Sequence, residues 1–120
     1  YNFFGLEEYV VKSDIKVPSG AVTVRMEYDQ TQPFRPFIDT FGGVAKLFIN
    51  DQLVGAGDIK NHVIVRYSVT ETLDVGTDLG ASVSAIYRPH EPYEFSGEIH
   101  SVRYELAKDR PTIIEAATNK

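Results

Sequence analysis

Residues 21–29 alternate apolar and polar side chains with a period of two, and this alternation restricts the fold more than any other feature of the sequence. The apolar positions are Val22, Val24, Met26 and Tyr28, and the polar ones are Thr23, Arg25, Glu27 and Asp29. Successive side chains of a strand point to opposite faces, whereas a helix repeats its face every three to four residues. We therefore predict a strand whose apolar set faces a core and whose Thr23, Arg25 and Glu27 face solvent.

The composition extends this prediction to the whole chain. Val and Ile together number 22 of the 120 residues, Tyr and Phe add 14, and Leu contributes only 6. β-Branched and aromatic side chains suit a pleated surface, whereas a helical domain would be rich in Leu and Ala. The chain is expected to be all-β.

Turn residues divide the rest of the chain into short strands. A hairpin is predicted over residues 43–50 and 53–59, with a turn at Asn50-Asp51-Gln52. Gly55 and Gly57 in its second strand indicate a bulge or the close approach of another backbone. Further strands are predicted at 1–4, 7–12 with a bend at Gly5, 62–67, 73–76 and 94–106, the last with a bulge near His100-Ser101 where the apolar phase slips.

Seven to eight short strands favour one antiparallel β-sandwich over residues 1–106. Residues 30–41 and 77–92 form its long loops. Residues 107–120 follow as a C-terminal tail, in which Ile113 and Ile114 either dock on the sandwich or fray.

Charge and composition exclude several classes of function. The formal net charge is −5, with 17 acidic and 12 basic residues, which disfavours a binder of nucleic acid backbones. Because there is no cysteine, disulfides, thiolate metal sites and cysteine nucleophiles are excluded. No apolar run approaches the roughly 20 residues that a membrane-spanning helix requires. We expect neither nucleic acid nor membrane as a partner.

No group of residues carries a recognisable active site or cofactor site. Glu98 and His100 have the spacing of metal ligands but lack a local third ligand. Glu71, Asp74 and Asp78 lack the alternating spacing of a calcium loop, so we interpret them as acids that cap turns. Neither a Gly-x-Ser-x-Gly elbow nor a Gly-rich phosphate loop occurs.

Aromatic side chains in the two long loops are the remaining candidates for a functional surface. They are Phe34, Phe37, Phe41, Tyr87 and Tyr93. These rings either contact a partner, which would be a sugar or another protein, or fold back over the open ends of the sandwich. The sequence leaves both possibilities open.

Three segments resemble the C-terminal region of bacterial arylsulfatases. Residues 1–9 read YNFFGLEEY, where that family has Y-N-F-x-G-L-x-x-Y, and residues 18–29 are similar to the strand that follows there. Most specific is YSVTETLDVGTDLGASVSAIY at 67–87, with Ala81-Ser82 where the family carries Thr-Pro. The chain also departs from the family at residues 30–41, where it has a loop rich in Pro and Phe and the family usually has a Gly-rich loop. The resemblance covers about residues 1–106 and implies a concanavalin A-like or laminin-G-like jelly roll.

The resemblance also implies that the catalytic part lies elsewhere. Sulfatases use a Cys or Ser in Cys/Ser-x-Pro-x-Arg, converted to formylglycine, together with a calcium site. This chain has no such motif. We therefore expect a non-catalytic fragment with no cofactor of its own, which packs on a sulfatase catalytic domain or supports oligomerisation. The parent would be cytoplasmic or periplasmic. A lectin-like module that binds glycan is the alternative, although scattered Arg and Lys disfavour a sulfated ligand.

The first residues suggest a chain cut from something longer, because a strand-like apolar run begins at Tyr1 without a Met or a leader sequence. The sandwich would then be incomplete on its N-terminal side, since the family strands that precede this segment are missing. Unpaired strand edges are templates for pairing with another chain. We expect a homo-oligomer whose contact involves the N-terminal strand or loop 30–41.

Overall fold

The computed structural model describes residues 1–35, 37, 40–63, 73–86, 88–90 and 93–106. These residues form five strands in two antiparallel sheets, together with a short 3₁₀ helix at Arg88–His90 and no α-helix. The all-β, antiparallel prediction is therefore confirmed. Within the same ranges, no helix is long and apolar enough to span a membrane.

The N-terminal segment is a small hairpin of strands β1 (Asn2–Phe3) and β2 (Glu7–Glu8), paired through Asn2 with Glu8 and Phe3 with Glu7. Its bend lies at Phe4 and Gly5, which have φ angles of 52° and 72°. Glycine adopts this left-handed conformation without a steric cost. The bend at Gly5 is confirmed, although each strand is shorter than predicted.

The main sheet is a meander of β3 (Val24–Gln30), β4 (Phe41–Ile49) and β5 (Gln52–His62), with β4 in the centre. Asn50 and Asp51 join β4 to β5 with φ angles of 47° and 65°. Two consecutive positive φ values are typical of the type I′ turn, whose twist matches that of a hairpin. The predicted hairpin and its turn are confirmed, with both strands longer than expected.

Segment 11–14 crosses one face of this sheet and explains the two glycines of β5. A Cβ on Gly55 would overlap the carbonyl oxygen of Lys12, and one on Gly57 would lie 2.9 Å from Cγ2 of Val11. The Asp14 amide donates to the Val54 carbonyl at 2.7 Å, which fixes the crossing. The predicted close approach of another backbone at the glycines is confirmed.

The core lies on this covered face. Among the described residues, the buried apolar side chains are Phe41, Ala45, Ile49 and Val54. The register places Val24 opposite Ile49, Met26 opposite Leu47 and Tyr28 opposite Ala45, so the predicted apolar set shares the face of the core. The alternation identified the correct face.

The predicted burial of this set is wrong for two members, and the prediction that Arg25 and Glu27 face solvent is wrong in degree, since both are half-buried. Val24 and Met26 are 60% and 65% exposed, whereas Ala45 and Ile49 on the same face are 4% and 6% exposed. The contacts of Val11 and Lys12 that cover the face fall on β5. The β3 side of the face therefore remains open.

Two further strand predictions are wrong. Residues 73–76 and 94–106 belong to no strand, so the expected bulge at His100-Ser101 is absent too. A single backbone hydrogen bond, from the Phe95 amide to the Gly76 carbonyl at 2.7 Å, joins the two segments. A strand requires a ladder partner, and the described residues provide none here. The register shifts lie instead in the β4–β5 ladder, between Phe41 and Gly43 and between Leu47 and Phe48.

The predicted strand 62–67 begins within β5, but its residues from 64 onward lie outside the described part of the chain. The same holds for the tail at 107–120 with Ile113 and Ile114.

Candidate functional site

The aromatic residues of the long loops occupy different environments. Phe34 is half-buried and its ring lies 5.0 Å from that of Phe41, which is 5% exposed and belongs to β4. Phe37 is fully exposed, and Tyr93 is half-buried with a φ angle of 55°. Tyr87 lies outside the described residues. The structure thus brings Phe34 and Phe41 together, while Phe37 projects into solvent.

The candidate metal ligands of the sequence do not converge. His100 Nδ1 lies 3.6 Å from Glu98 Oε1, and both side chains are exposed. Asp74 Oδ2 accepts a hydrogen bond from the Leu79 amide at 2.9 Å, which is the geometry of a turn cap. Glu71 lies outside the described ranges. Within those ranges, no group of three His, Asp or Glu residues could hold a metal ion.

A cluster that the sequence did not predict forms where the N-terminal hairpin meets the end of β5. The Tyr1 and Tyr9 rings stack at 6.4 Å, and His62 contacts Tyr1 edge-on at 5.4 Å and Tyr28 edge-on at 5.1 Å. Edge-on and offset contacts are the arrangements that aromatic quadrupoles favour. This aromatic cluster attaches the hairpin to the main sheet.

A chain of polar side chains runs beside the aromatic cluster. Asn61 Nδ2 donates to Glu7 Oε2 and to the Tyr9 hydroxyl, both at 2.9 Å, and the Tyr9 hydroxyl itself donates to Glu7. Arg35 Nη2 donates to Asn61 Oδ1 at 2.8 Å and to the Lys60 carbonyl. This polar network joins the hairpin, loop 31–40 and β5.

The network shifts the acidities of two members away from neutrality. Hydrogen bonds from Tyr9 and Asn61 lower the pKa of Glu7 below its ordinary value of 4.5. The pKa of Tyr9 is raised above 10.0. The larger cause is partial loss of water around the phenol, and the smaller is its hydrogen bond to Glu7. A general acid or base works best with a pKa near the operating pH. The pair is therefore arranged to hold structure rather than to transfer protons at neutral pH.

A shallow groove of about 170 Å³ lies on the other side of the hairpin, lined by Tyr1, Glu8, Tyr9, Val10, Val11, Val83 and Ser84. The Ser84 hydroxyl donates to Glu8 Oε2 at 2.8 Å, and Asn2 Nδ2 donates to the Val83 carbonyl at 3.0 Å. Pockets for cofactors and drug-sized ligands are typically about 300–1,000 Å³. The groove can offer tyrosine rings and a carboxylate to a small group but cannot enclose a cofactor.

Sequence reasoning missed these residues because their partners are remote along the chain. Asn61 lies 54 residues from Glu7 and 26 from Arg35. The available signal was the placement of Tyr1 and Tyr9 on either side of the Gly5 bend, which a hairpin brings together.

Comparison of the chain with models of known protein families, with curated proteins and with solved structures gives no match.

Proposed function

We propose that this chain is a non-catalytic module from the C-terminal region of an arylsulfatase, a sulfuric ester hydrolase, and that it packs against the catalytic domain of its parent. In this proposal the antiparallel strands belong to a β-sandwich of the concanavalin A-like, jelly-roll type. The resemblance of residues 1–9, 18–29 and 67–87 to that region supports the family. Calcium and formylglycine would belong to the catalytic domain of the parent.

The half-covered face of the main sheet is the observation that carries the proposal. Val24 and Met26 are largely exposed on the same face as the buried Ala45 and Ile49. Fully burying a Val or Met side chain contributes about 1.5–3 kcal/mol. An apolar strip beside a core is therefore a surface that gains stability when another element covers it.

The segment at 94–106 supports the same conclusion independently. Its exposed apolar residues are Phe95, Ile99, Val102, Tyr104 and Leu106. The resemblance places this segment in the sandwich, where such side chains would be covered. Both surfaces favour a module that completes its packing against other parts of a larger protein.

The chemistry of the described residues supports a structural role. The Glu7–Tyr9 pair has acidities displaced away from neutral pH, and the groove is too small for a cofactor. The chain also lacks Cys and the Ser-x-Pro-x-Arg motif that would supply the sulfatase nucleophile. Its contribution to the parent would be to pack on the catalytic domain and shape the rim of its cleft.

The test begins with the gene that encodes the chain, which should also encode Cys/Ser-x-Pro-x-Arg upstream. The catalytic fragment from that gene is then mixed with the 120-residue chain, and complex formation is followed by isothermal titration calorimetry. Val24→Lys and Met26→Lys should weaken the complex at least tenfold. Thr23→Lys, at the exposed residue immediately before this strand, is the matched control and should leave affinity unchanged.

Two results would overturn the proposal. The first is a gene without the sulfatase motif. The second is a catalytic fragment that does not bind the chain although both are folded by circular dichroism.

A glycan-binding module is the second candidate, and the groove at the hairpin is the observation that favours it. Tyr1 and Tyr9 contribute aromatic rings to its lining, and Glu8 and Ser84 contribute polar atoms, which are the kinds of group that recognise sugars. A glycan array probed with the chain and with Tyr9→Ala separates the two functions. Specific binding that is lost in the variant would favour the lectin-like function.

A further inference from the structure

Strand β3 has a ladder partner on one side only, β4, among the residues that the structure describes. It forms one side of the three-stranded sheet, and the described residues add no ladder beyond it. An outer strand carries a row of N–H and C=O groups available for pairing with another strand.

The direction of these groups follows from the hydrogen bonds at the two ends of β3. The Thr23 carbonyl accepts from the Asn50 amide at 2.9 Å, and the Thr31 amide donates to the Gly42 carbonyl at 3.1 Å. The backbone N–H and C=O groups of the odd-numbered residues therefore point toward β4. Because backbone groups alternate along an antiparallel strand, the N–H and C=O of Val24 and Met26 point outward.

We propose that β3 pairs antiparallel with β3 of a second copy of this chain, about a two-fold axis that passes through Met26. In this register Met26 lies opposite Met26 of the second copy, and its outward N–H and C=O make the central pair of hydrogen bonds. The result is a continuous six-stranded sheet across two chains. A two-fold interface of this kind is isologous and closes on itself.

Charge complementarity selects this register. It places Arg25 opposite Glu27 of the second copy, and by symmetry Glu27 opposite Arg25 of the second copy. These are the non-hydrogen-bonded positions, where opposed Cα atoms lie only about 4.5 Å apart and side chains interact most strongly. Two favourable cross-strand ion pairs result from one symmetric contact.

The neighbouring registers are unfavourable. A slip of two residues in one direction would place Arg25 on the two-fold axis against its own copy, and a slip in the other direction would do the same to Glu27. Like charges directly opposite each other destabilise a strand pair. A slip of one residue would put the apolar side chains of one copy among the polar side chains of the other.

The register also continues the two faces of the sheet. Met26 and Val24 of both copies lie on the apolar face, and together they extend the strip that segment 11–14 leaves uncovered. On the polar face, Arg25 already contacts Glu27 of its own strand and lies 4.0 Å above the Phe48 ring. Arg25 also lies 3.5 Å from Asp51 Oδ1 in the β4–β5 turn, so in the dimer its guanidinium would turn from these contacts within its own sheet to Glu27 of the second copy. This inference goes beyond the proposed function and needs no catalytic domain.

Cysteine cross-linking of the full chain tests the register directly, because the natural sequence has no cysteine. Opposed residues of a hydrogen-bonded pair have Cα atoms about 5.5 Å apart, which lies within the range of a disulfide. Met26→Cys should therefore form a covalent dimer under mild oxidation at about 50 µM chain. Val24→Cys is the matched control, because the two copies of Val24 would be offset by four residues, roughly 13 Å along the strand, too far for a disulfide.

Charge reversal at Arg25 and Glu27 is the second test of the proposed dimer. Analytical ultracentrifugation of the unmodified chain should show twice the mass of 13.4 kDa. Arg25→Glu should shift the dissociation constant upward at least tenfold, and adding Glu27→Arg to it should restore dimerisation. Circular dichroism checks that each variant folds.

Four outcomes would overturn the proposal. They are a monomeric mass, a dimer that Met26→Cys fails to cross-link, equal cross-linking by Val24→Cys, and a double charge reversal that stays monomeric. Any of these outcomes would leave the proposed function untouched, because the binding of a catalytic fragment to the apolar face is measured separately by calorimetry.

Discussion

Replacing Gly55 with alanine would place a methyl group against the backbone carbonyl of Lys12, where segment 11–14 crosses β5. Backbone cannot rotate away as a side chain can, so the segment and the strand must separate. Gly55 does not have a positive φ angle, so alanine fits its local conformation. The change in stability therefore reports the steric effect of the new methyl group, without a contribution from backbone strain.

The expected change in the free energy of unfolding combines three terms. Overpacking a filled contact costs about 1–3 kcal/mol, and weakening the bond from the Asp14 amide to the Val54 carbonyl costs about 1 kcal/mol more. Restricting the unfolded chain by exchanging Gly for Ala offsets about 0.4–1 kcal/mol. Gly55→Ala should therefore destabilise the chain by about 1–3.5 kcal/mol.

Gly57→Ala is the matched control two residues along the same strand. Its methyl would lie 2.9 Å from Cγ2 of Val11, the end of a side chain that can move. The steric cost and the entropic gain should nearly cancel, leaving a change within about 0.5 kcal/mol.

Urea unfolding followed by circular dichroism measures both variants, and hydrogen exchange reports on the Asp14 amide. Gly55→Ala should accelerate exchange at Asp14, whereas Gly57→Ala should not. Equal stability of the two variants, or full protection of Asp14 in Gly55→Ala, would refute the crossing of segment 11–14 over β5.

Five other outcomes are expected. Ile49→Ala should cost about 2–4 kcal/mol in urea unfolding and Val24→Ala less than about 1, because only Ile49 is buried; equal costs would contradict the half-covered face. The lowered pKa of Glu7 means that its contribution to stability is complete above pH 4.5 and is lost as the pH falls through the lowered value, so Glu7→Gln should flatten the acid side of a stability profile. The raised pKa of Tyr9 acts in the opposite sense: its contribution is complete below pH 10.0 and is lost as the pH rises through the raised value, a loss that Tyr9→Phe should abolish. Asn50→Ala should cost roughly 1 kcal/mol and Asn50→Gly less, since glycine accepts the positive φ of the turn. The purified chain should not turn over nitrophenyl sulfate above background, even with calcium added.

The hairpin and the face of β3 could be predicted from the sequence because both depend on local rules. Asn50 and Asp51 tolerate left-handed conformations, and a period of two determines which side chains share a face. The same period does not determine what covers that face. Val24 and Ile49 have the same chemistry and lie on the same face, yet only Ile49 is buried.

The incorrect strands and the missed cluster have a related cause. Residues 94–106 have the composition of a strand, but pairing depends on a partner that no local pattern specifies. Likewise, Glu7, Asn61 and Arg35 meet only after three separate segments have folded. Local patterns identify elements, while sites between elements depend on tertiary structure.

The hairpin of β4 and β5 also determines the order in which the chain can fold. Its first pair, Ile49 with Gln52, closes a loop of only two residues, so its ladder can grow outward from the turn within about 1–10 µs. β3 can join next, because Asn50 bonds to Thr23 through both its amide and its side chain, at 2.9 and 3.0 Å. We expect the Asp14 bond to Val54, which spans forty residues, to form last, because it requires the β4–β5 hairpin to be in place before segment 11–14 can cross it. We expect Gly55→Ala to speed unfolding while leaving the folding rate nearly unchanged, because the contact that it disrupts forms after the transition state.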